Sequence, residues 1–424
     1  MKKYLFPQLP ASYLKIFSWL IVGIIMLVSL KAHPINSIML GDEPGYFTEL
    51  DYLYHYGFYQ SLAQGMSFGY TGLLFIVSKL IPINAFFVMK FFSAGCYVAC
   101  CFVILKIFDR FENIAFETKY LGMVFFAYFS SSSVWRALPD VAHCLAILLA
   151  ILALLNKGNY KQVVIASLMV FIAFTIKPIA IFYIPGILLY FLVNKSVLLK
   201  QRIVNILLFI VVFTSCFALY HIPGYQTYGK LMLEDKGHMY VGSKRINATT
   251  TWGEINTYYE VYNPNKRANK WHVTVDEVNE YKKNHPGELN LSYFQFLQKH
   301  FDVWARNTSS KIFLDLPYYT DGGMFYHKWT FINRWIKNTM VIEFISLIIF
   351  IVFYYFEKDF IKKNLILMVP FLFFVFLSVY DIPQLEGNWL ISCVPFFAIP
   401  IMQFLQTKIG AYLILMGQLL VVFF

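Results

Sequence analysis

Long apolar stretches recur along this chain and constrain its fold more than any other feature. A helix needs about 20 apolar residues to cross the hydrocarbon core of a bilayer, and tilted or buried helices manage with somewhat fewer. The chain is 58% hydrophobic and only 14% charged, far from the balance of a soluble domain. We therefore expect an all-α polytopic membrane protein with about eleven spans, at residues 14–30, 84–105, 119–134, 141–155, 162–176, 178–193, 203–220, 339–356, 364–379, 388–404 and 409–424.

The basic residues predict how these spans are oriented. If the N-terminus is cytoplasmic, most lysines and arginines between the spans fall in inside loops, and the short outer loops hold little more than Lys31, Lys79, Arg136 and Lys177. The positive-inside rule favours this orientation. We expect a multi-pass protein of the bacterial inner membrane with a periplasmic site. The net charge of +11 reflects the same bias, so it does not indicate a nucleic-acid partner.

This topology divides the chain into three parts. Residues 1–220 are predicted to be an N-terminal transmembrane module with a first outer loop at residues 31–83, residues 221–338 a small α-rich periplasmic segment, and residues 339–424 C-terminal transmembrane helices. An apolar run at residues 70–81 is too short to span, so we expect interfacial helices in the first loop. The many aromatic side chains of the periplasmic segment fit either sugar stacking or an aromatic belt with a small core.

The six cysteines all lie in apolar stretches, and the periplasmic segment has none. That segment is therefore expected to be stable without disulfides. No cysteine spacing is typical of a metal site. We predict no metal site and no cofactor, although the sequence leaves a divalent metal ion open.

Two adjacent carboxylates, Asp42 and Glu43, stand in the first outer loop. Carboxylates are costly near a bilayer and usually serve chemistry or transport there. A simpler interpretation is that one of them caps a helix beginning at Pro44. A cap does not require two acids, so we favour a catalytic pair. Tyr46 and His55 are further candidate substrate-binding residues in this loop, and His55 fits an interfacial side chain better than a metal ligand.

Charged residues also occupy the outer turns of four short spans between residues 119 and 193. Each span has about 15 residues, or about 22 Å of helix against a core of about 30 Å. Their outer turns should therefore lie below the headgroups, at a depth suited to a lipid-linked phosphate. These turns hold Arg136, Asp140 and Lys177. The alternatives are snorkelling for Lys177 and a local ion pair between Arg136 and Asp140.

Four of these stretches, taken in order, resemble the C-type glycosyltransferases, polytopic enzymes that use polyprenyl-phosphate-linked sugars. They are the acidic pair, the interfacial hairpin leading into residues 87–91, and the segments 136–140 and 175–178. The protein mannosyltransferase and aminoarabinose transferase branch is the most similar. The late segment 386–396 is similar to the family's entry into a late helix, but it has Asn388-Trp389 where the family often has Arg-Tyr.

The resemblance implies a membrane glycosyltransferase that moves a hexosyl or pentosyl group, with inversion, from a polyprenyl-phosphate donor to an acceptor hydroxyl. Because the late basic residue is missing, the donor phosphate would bind Lys90, Arg136 or Lys177. Transfer to a hydroxyl needs a base, and developing charge needs stabilisation. We expect Asp42 to be the base and Glu43 to orient it or the acceptor. A surface glycan such as lipopolysaccharide O-antigen is the acceptor favoured by analogy, with lipid A, other envelope glycans and protein left open.

Two other functions fit parts of the sequence. A lipid-linked-sugar flippase or another transporter also carries sparse buried charges, but transporters usually have paired halves and short outer loops. This chain has a first loop of about 50 residues and a periplasmic segment of 118 residues, from 221 to 338. A polysaccharide polymerase or ligase is expected to have a large arginine-rich outer loop and no early acidic pair. These differences favour a transferase.

Overall fold

The computed structural model is helical throughout the part of the chain that it describes, without a strand in that part. Asp42, most of the periplasmic segment and the predicted spans at residues 339–356 and 409–424 lie outside the described residues. The all-α class is confirmed for the rest. The described residues are 11–32, 34–35, 43–63, 68–81, 84–112, 114, 116–155, 159–228, 363–379, 392–396 and a few isolated positions between 283 and 399.

The helices follow one another with short connections. Three 3₁₀ turns, Ser131–Ser133, Pro178–Phe182 and Leu365–Leu367, stand next to the ends of longer helices. The α-helices are α1 (Ala11–Ala32), α2 (Glu43–Ala63), α3 (Phe68–Leu80), α4 (Ala85–Phe108), α5 (Phe116–Phe129), α6 (Asp140–Leu155), α7 (Tyr160–Ile176), α8 (Tyr183–Val193), α9 (Leu199–Tyr228) and α10 (Met368–Val379).

Three of the described helices are long and apolar enough to cross a membrane. They contain the segments Ser12–Lys31, Ala85–Phe108 and Leu199–Thr227. Helices α3, α6, α7, α8 and α10 contribute shorter apolar segments. The chain thus has the apolar helices of a membrane protein, and the count of about eleven spans remains a prediction. Residues 31–83, the predicted first outer loop, contain two helices, α2 and α3, which pack on each other. Their position at the membrane interface remains a prediction.

Helix α6 lies at the centre of the described bundle. It packs against α4 on one side and α7 on the other, while α7 also packs against α9 and against α3. Ala142, Ala146, Ala150 and Ala153 of α6 are all buried. Small side chains at this spacing let neighbouring helices approach closely in a membrane. The ends of α6 and α7 are therefore held in register with each other.

Helix α5 ends at Phe129, earlier than the predicted span at residues 119–134. The Ser130 hydroxyl donates to the Phe126 carbonyl at 2.7 Å, and a 3₁₀ turn of three serines follows. Serine hydroxyls compete for backbone groups and so weaken helix continuation. The chain therefore leaves the helix before residues 134–139. Trp135 in this stretch donates from Nε1 to the Met26 carbonyl at 2.9 Å, which ties it to α1.

Lys177 lies between α7 and the following 3₁₀ turn because Pro178 comes next. The residue before a proline disfavours the helical conformation. Lys177 accordingly has extended dihedral angles, φ −143° and ψ 119°, while its N–H still bonds to the Ala173 carbonyl at 2.8 Å. The backbone thus turns at Lys177, at the outer end of α7 in the predicted orientation.

The close approach of α3 to the end of α7 depends on Gly69. A Cβ at Gly69 would overlap the Ile176 nitrogen and the Thr175 side chain. We expect Gly69→Ala to lower the free energy of unfolding by about 1–3 kcal/mol, as overpacking of a tight contact does. Gly23→Ala on α1 is the matched control because a Cβ there would meet nothing within 4 Å. Thermal unfolding of both variants in detergent is the measurement, and equal stability of the two would contradict this packing.

Candidate functional site

Two buried ion pairs meet at one end of the bundle. Glu43 opens α2 and pairs with Arg136, with 3.8 Å between Oε1 and Nε. Asp140 opens α6 and pairs with Lys177, which follows α7. The Glu43, Arg136 and Asp140 side chains are no more than 6% exposed, and that of Lys177 is 17% exposed. Because Arg136 and Asp140 belong to one short segment, residues 136–140, both pairs are built on the same turn.

The Glu43 carboxylate also accepts a hydrogen bond from the backbone of this turn. The Ala137 N–H donates to Glu43 Oε1 at 2.7 Å. A hydrogen bond to a carboxylate is stronger than one between neutral groups. Glu43 also stands in the first turn of α2, where the helix dipole favours a negative charge. The start of α2 is therefore anchored to residues 136–140.

The predicted alternative of a local ion pair within residues 136–140 does not describe the structure. Arg136 pairs with Glu43, and Asp140 accepts a hydrogen bond from Lys177 Nζ. Asp140 is favoured at the N-terminus of α6 by the helix dipole. Both residues thus find partners on other elements, and the two pairs join α2, α6 and the end of α7.

Lys90 is the third predicted phosphate ligand, and it is only 1% exposed on α4. Its ammonium donates to the Pro34 carbonyl at 2.9 Å and lies 4.7 Å from the centre of the Phe86 ring. Glu43 is near enough for its charge to act on Lys90. Lys90 therefore joins the chain just after α1 to the same charged region.

Tyr70 and Ser93 complete the site, and the sequence analysis did not single out either. The Tyr70 hydroxyl lies 3.5 Å from Ser93 Oγ. The Ser93 hydroxyl in turn donates a hydrogen bond to the Leu138 carbonyl at 3.4 Å. Burial raises the pKa of Tyr70, and the nearby charges of Asp140 and Glu43 act in the same direction. Tyr70 therefore stays a neutral donor. A single tyrosine in an apolar run carries no sequence signal for such a position.

The two other predicted substrate-binding residues lie in different surroundings. Tyr46 packs edge-on against Tyr70, with 5.4 Å between ring centres, so it belongs to the site. His55 lies farther along α2, with a side chain 66% exposed and 3.6 Å from the Asp51 carboxylate. The structure therefore does not bring His55 together with the ion pairs.

His143 lies one turn after Asp140 and was not identified from the sequence. It is buried, and its Nε2 has no hydrogen-bond partner among the described residues. Lys177 is close enough for its charge to act on the imidazole. Buried polar atoms are nearly always hydrogen-bonded, so an unpaired nitrogen at this position is unusual. Within the described residues, no group of three or more histidine, cysteine, aspartate or glutamate side chains is suited to hold a metal ion.

No protein-family model matches this chain, and no curated protein matches it. The resemblance to C-type glycosyltransferases noted in the sequence therefore remains a prediction from the motifs alone.

The Glu43–Arg136 pair is expected to stabilise the fold strongly. Glu43→Gln keeps the size of the side chain but removes the negative charge that pairs with the buried Arg136 guanidinium, and removing one partner of a buried pair costs about 3–5 kcal/mol. Asp109→Asn is the control, since it breaks an ion pair with Lys119 at 2.8 Å in which Asp109 is 64% exposed. Such exposed pairs contribute about 0–1 kcal/mol.

The measurement is chemical or thermal unfolding of each variant in detergent. Replacing both partners, as Glu43→Gln with Arg136→Met, should recover part of the lost stability because neither charge of this pair then stays buried without the other. An equal, small loss in Glu43→Gln and Asp109→Asn would show that the Glu43 contact does not hold the first loop.

Proposed function

We propose that this protein is a membrane glycosyltransferase that moves a sugar from a polyprenyl-phosphate donor to the hydroxyl of an outer-face acceptor. The proposal depends on one observation: two buried ion pairs, Glu43–Arg136 and Asp140–Lys177, meet at residues 136–140. Asp42 directly precedes Glu43 in the sequence. Acids and cations are thereby placed together at one end of apolar helices. Sugar transfer from a lipid phosphate needs an acid group, as its carboxylate, to take the proton of the incoming hydroxyl, and a cation to stabilise the leaving phosphate.

In this reaction the acceptor oxygen forms a bond to the anomeric carbon while the bond from that carbon to the phosphate oxygen breaks. The polyprenyl phosphate leaves with the bonding electrons, and the hydroxyl proton passes to a carboxylate. Attack opposite the leaving group inverts the anomeric centre. A cation beside the departing phosphate stabilises the negative charge that it gains.

Lys177 is the first candidate for that cation. Its ammonium has three donors, and one of them binds Asp140. It is also the most exposed of the three predicted phosphate ligands, at 17% against 6% for Arg136 and 1% for Lys90. Asp140 holds the ammonium in place before the donor arrives. Arg136 offers a planar set of five donors beside it, and Lys90 serves as a support for the loop after α1.

Glu43 and Asp42 have different parts in this proposal. Glu43 binds the Ala137 N–H and the Arg136 guanidinium, so it positions the loop. Asp42, which directly precedes it in the sequence, is the proposed base. Tyr46 and the Tyr70 hydroxyl then line the region where the sugar would lie. The assignment of Asp42 rests on its place in the sequence.

The acceptor that we propose is a surface glycan such as lipopolysaccharide O-antigen, reached from the periplasmic side of the bacterial inner membrane. This choice follows the predicted orientation, which places the first loop outside. His55 and the aromatic residues of segment 221–338 remain candidates for contacts with the acceptor beyond the ion pairs.

The base is tested by Asp42→Asn. Because a positioned base contributes about a hundredfold to ten-thousandfold, this variant should lose nearly all transfer while its unfolding temperature stays unchanged. Asp51→Asn is the control, an exposed acid of α2 away from the ion pairs. Purified proteins are incubated with undecaprenyl-phosphate sugars and envelope acceptors, and products are scored by mass spectrometry. Retention of more than about a tenth of the turnover in Asp42→Asn would rule out Asp42 as the base.

The donor site is tested by Lys177→Ala. Loss of a charged hydrogen bond to phosphate should weaken donor binding about tenfold to a hundredfold. Lys177→Arg should not restore it, because the planar guanidinium does not replace a point charge paired with Asp140. Lys79→Ala, on the exposed end of α3, is the control. Donor affinity unchanged in both Lys177→Ala and Arg136→Ala would move the phosphate site to Lys90 or the periplasmic segment.

A further inference from the structure

A polar pocket lies at the opposite end of the bundle from the ion pairs. It forms where the end of α6, the start of α7, the end of α8 and the start of α9 come together. It has about 20 Å³ of space that water can enter, with a mouth open to the outside. Its lining residues are Ala153, Leu154, Asn159, Gln162, Val163, Tyr190, Phe191, Asn194, Val197, Arg202 and Asn205.

The polar side chains of this pocket are one guanidinium, four carboxamides and the Tyr190 hydroxyl, and none of the lining residues is acidic. Arg202 donates from Nε to the Val197 carbonyl at 2.6 Å and from Nη1 to the Leu192 carbonyl at 3.2 Å. A guanidinium has five N–H donors, so these two bonds hold it in place and leave further donors at the pocket. The pocket thus has a positioned positive charge that no lining carboxylate neutralises.

Asn205 gives independent support for a bound group. It is 5% exposed, it lines the pocket, and its Oδ1 has no hydrogen-bond partner among the described residues. An unpaired buried polar atom is costly unless another molecule satisfies it. A phosphate oxygen only accepts hydrogen bonds, so it would bind the two N–H donors of the Asn205 carboxamide, turned so that these donors take the unpaired position.

Two helix starts and two helix ends meet at this pocket. Helices α7 and α9 begin there and present the positive ends of their dipoles, while α6 and α8 end there and present negative ends. The helix dipoles therefore offset one another, and the positive charge at the pocket comes from its basic side chains. Lys161, Lys195 and Lys200 are exposed at the same end. In the predicted orientation this is the cytoplasmic side, where basic pockets between membrane helices bind lipid phosphates.

We propose that this pocket binds the phosphate group of an anionic membrane lipid. Its volume of about 20 Å³ holds one phosphate oxygen, which would bind Asn205 and Arg202 while the rest of the headgroup stays at the mouth. Leu198, Leu199 and Ile203 stand next to Arg202 with 79%, 61% and 48% of their surface exposed. Acyl chains would cover these side chains, which favours a lipid over free phosphate. The site is separate from the proposed transfer reaction.

The test is the rise in unfolding temperature of the full-length protein in phosphatidylcholine nanodiscs. Phosphatidic acid is added to one sample, a diacylglycerol with the same acyl chains to a second, and inorganic phosphate to a third. We expect a saturable rise with phosphatidic acid alone. Arg202→Gln should weaken the apparent affinity about tenfold. Gln162→Glu, which adds a carboxylate of nearly the same size, should weaken it at least as much.

Lys106→Gln is the control, because Lys106 is an exposed cation in the last turn of α4 that does not line the pocket. It should keep the wild-type response within twofold. Gln162→Glu keeps the Arg202 bonds, so it tests the site even if Arg202→Gln folds poorly. Equal responses to phosphatidic acid and diacylglycerol, or an equal loss in Lys106→Gln, would overturn the proposal. A response to inorganic phosphate that matches phosphatidic acid would overturn the lipid as the source.

Discussion

The anchoring of Glu43 to residues 136–140 is the interaction on which the rest of the site depends. Its carboxylate accepts a hydrogen bond from the Ala137 N–H and pairs with Arg136, deep enough that both side chains are nearly hidden from solvent. This single contact brings the first loop onto the turn between α5 and α6. Through the same turn it reaches Asp140 and Lys177, so that charges separated widely in sequence act in one place.

Because these ion pairs are buried, each charge is stable only beside its partner, and removing one partner costs free energy. A charge removed from water must be paired and hydrogen-bonded, and each acid here has a cation from another element. Asp140 gains from the dipole of α6, and Lys177 is held at the end of α7 by the backbone turn before Pro178. Groups on several helices thereby offset the free-energy cost of removing these charges from water. The same arrangement leaves Lys177 partly exposed, where an anionic donor can reach it.

Much of this arrangement follows from the sequence. Apolar length predicted the helical class, and the bounds of the short spans predicted that Lys177 and Asp140 stand at helix ends. The partners did not follow, because pairing between Glu43 and Arg136 depends on how α2 folds back across the turn. The early end of α5 depends on the Ser130 hydroxyl.

Residues recognised only in the structure share one property. Tyr70, Ser93 and His143 lie inside apolar stretches of the sequence. A single polar residue there cannot be told from one that only makes hydrogen bonds inside the core. Their importance comes from neighbours on other helices: Leu138 for Ser93, and Lys177 for His143. His55 shows the reverse, since a polar residue within an aromatic cluster drew attention but lies on an exposed face away from the pairs. The sequence therefore predicts which segments form helices better than it predicts which side chains of different helices meet.

Transfer and transbilayer movement are distinguished most directly in proteoliposomes that carry labelled polyprenyl-phosphate sugar and are supplied with acceptor outside. If the protein is a transferase, we expect a new glycosidic bond and released polyprenyl phosphate in the leaflet facing the first loop, with no need for the sugar to cross the bilayer. Movement of intact donor between leaflets, without cleavage of the sugar–phosphate bond by any acceptor and without loss in Asp42→Asn, would contradict it and identify a flippase.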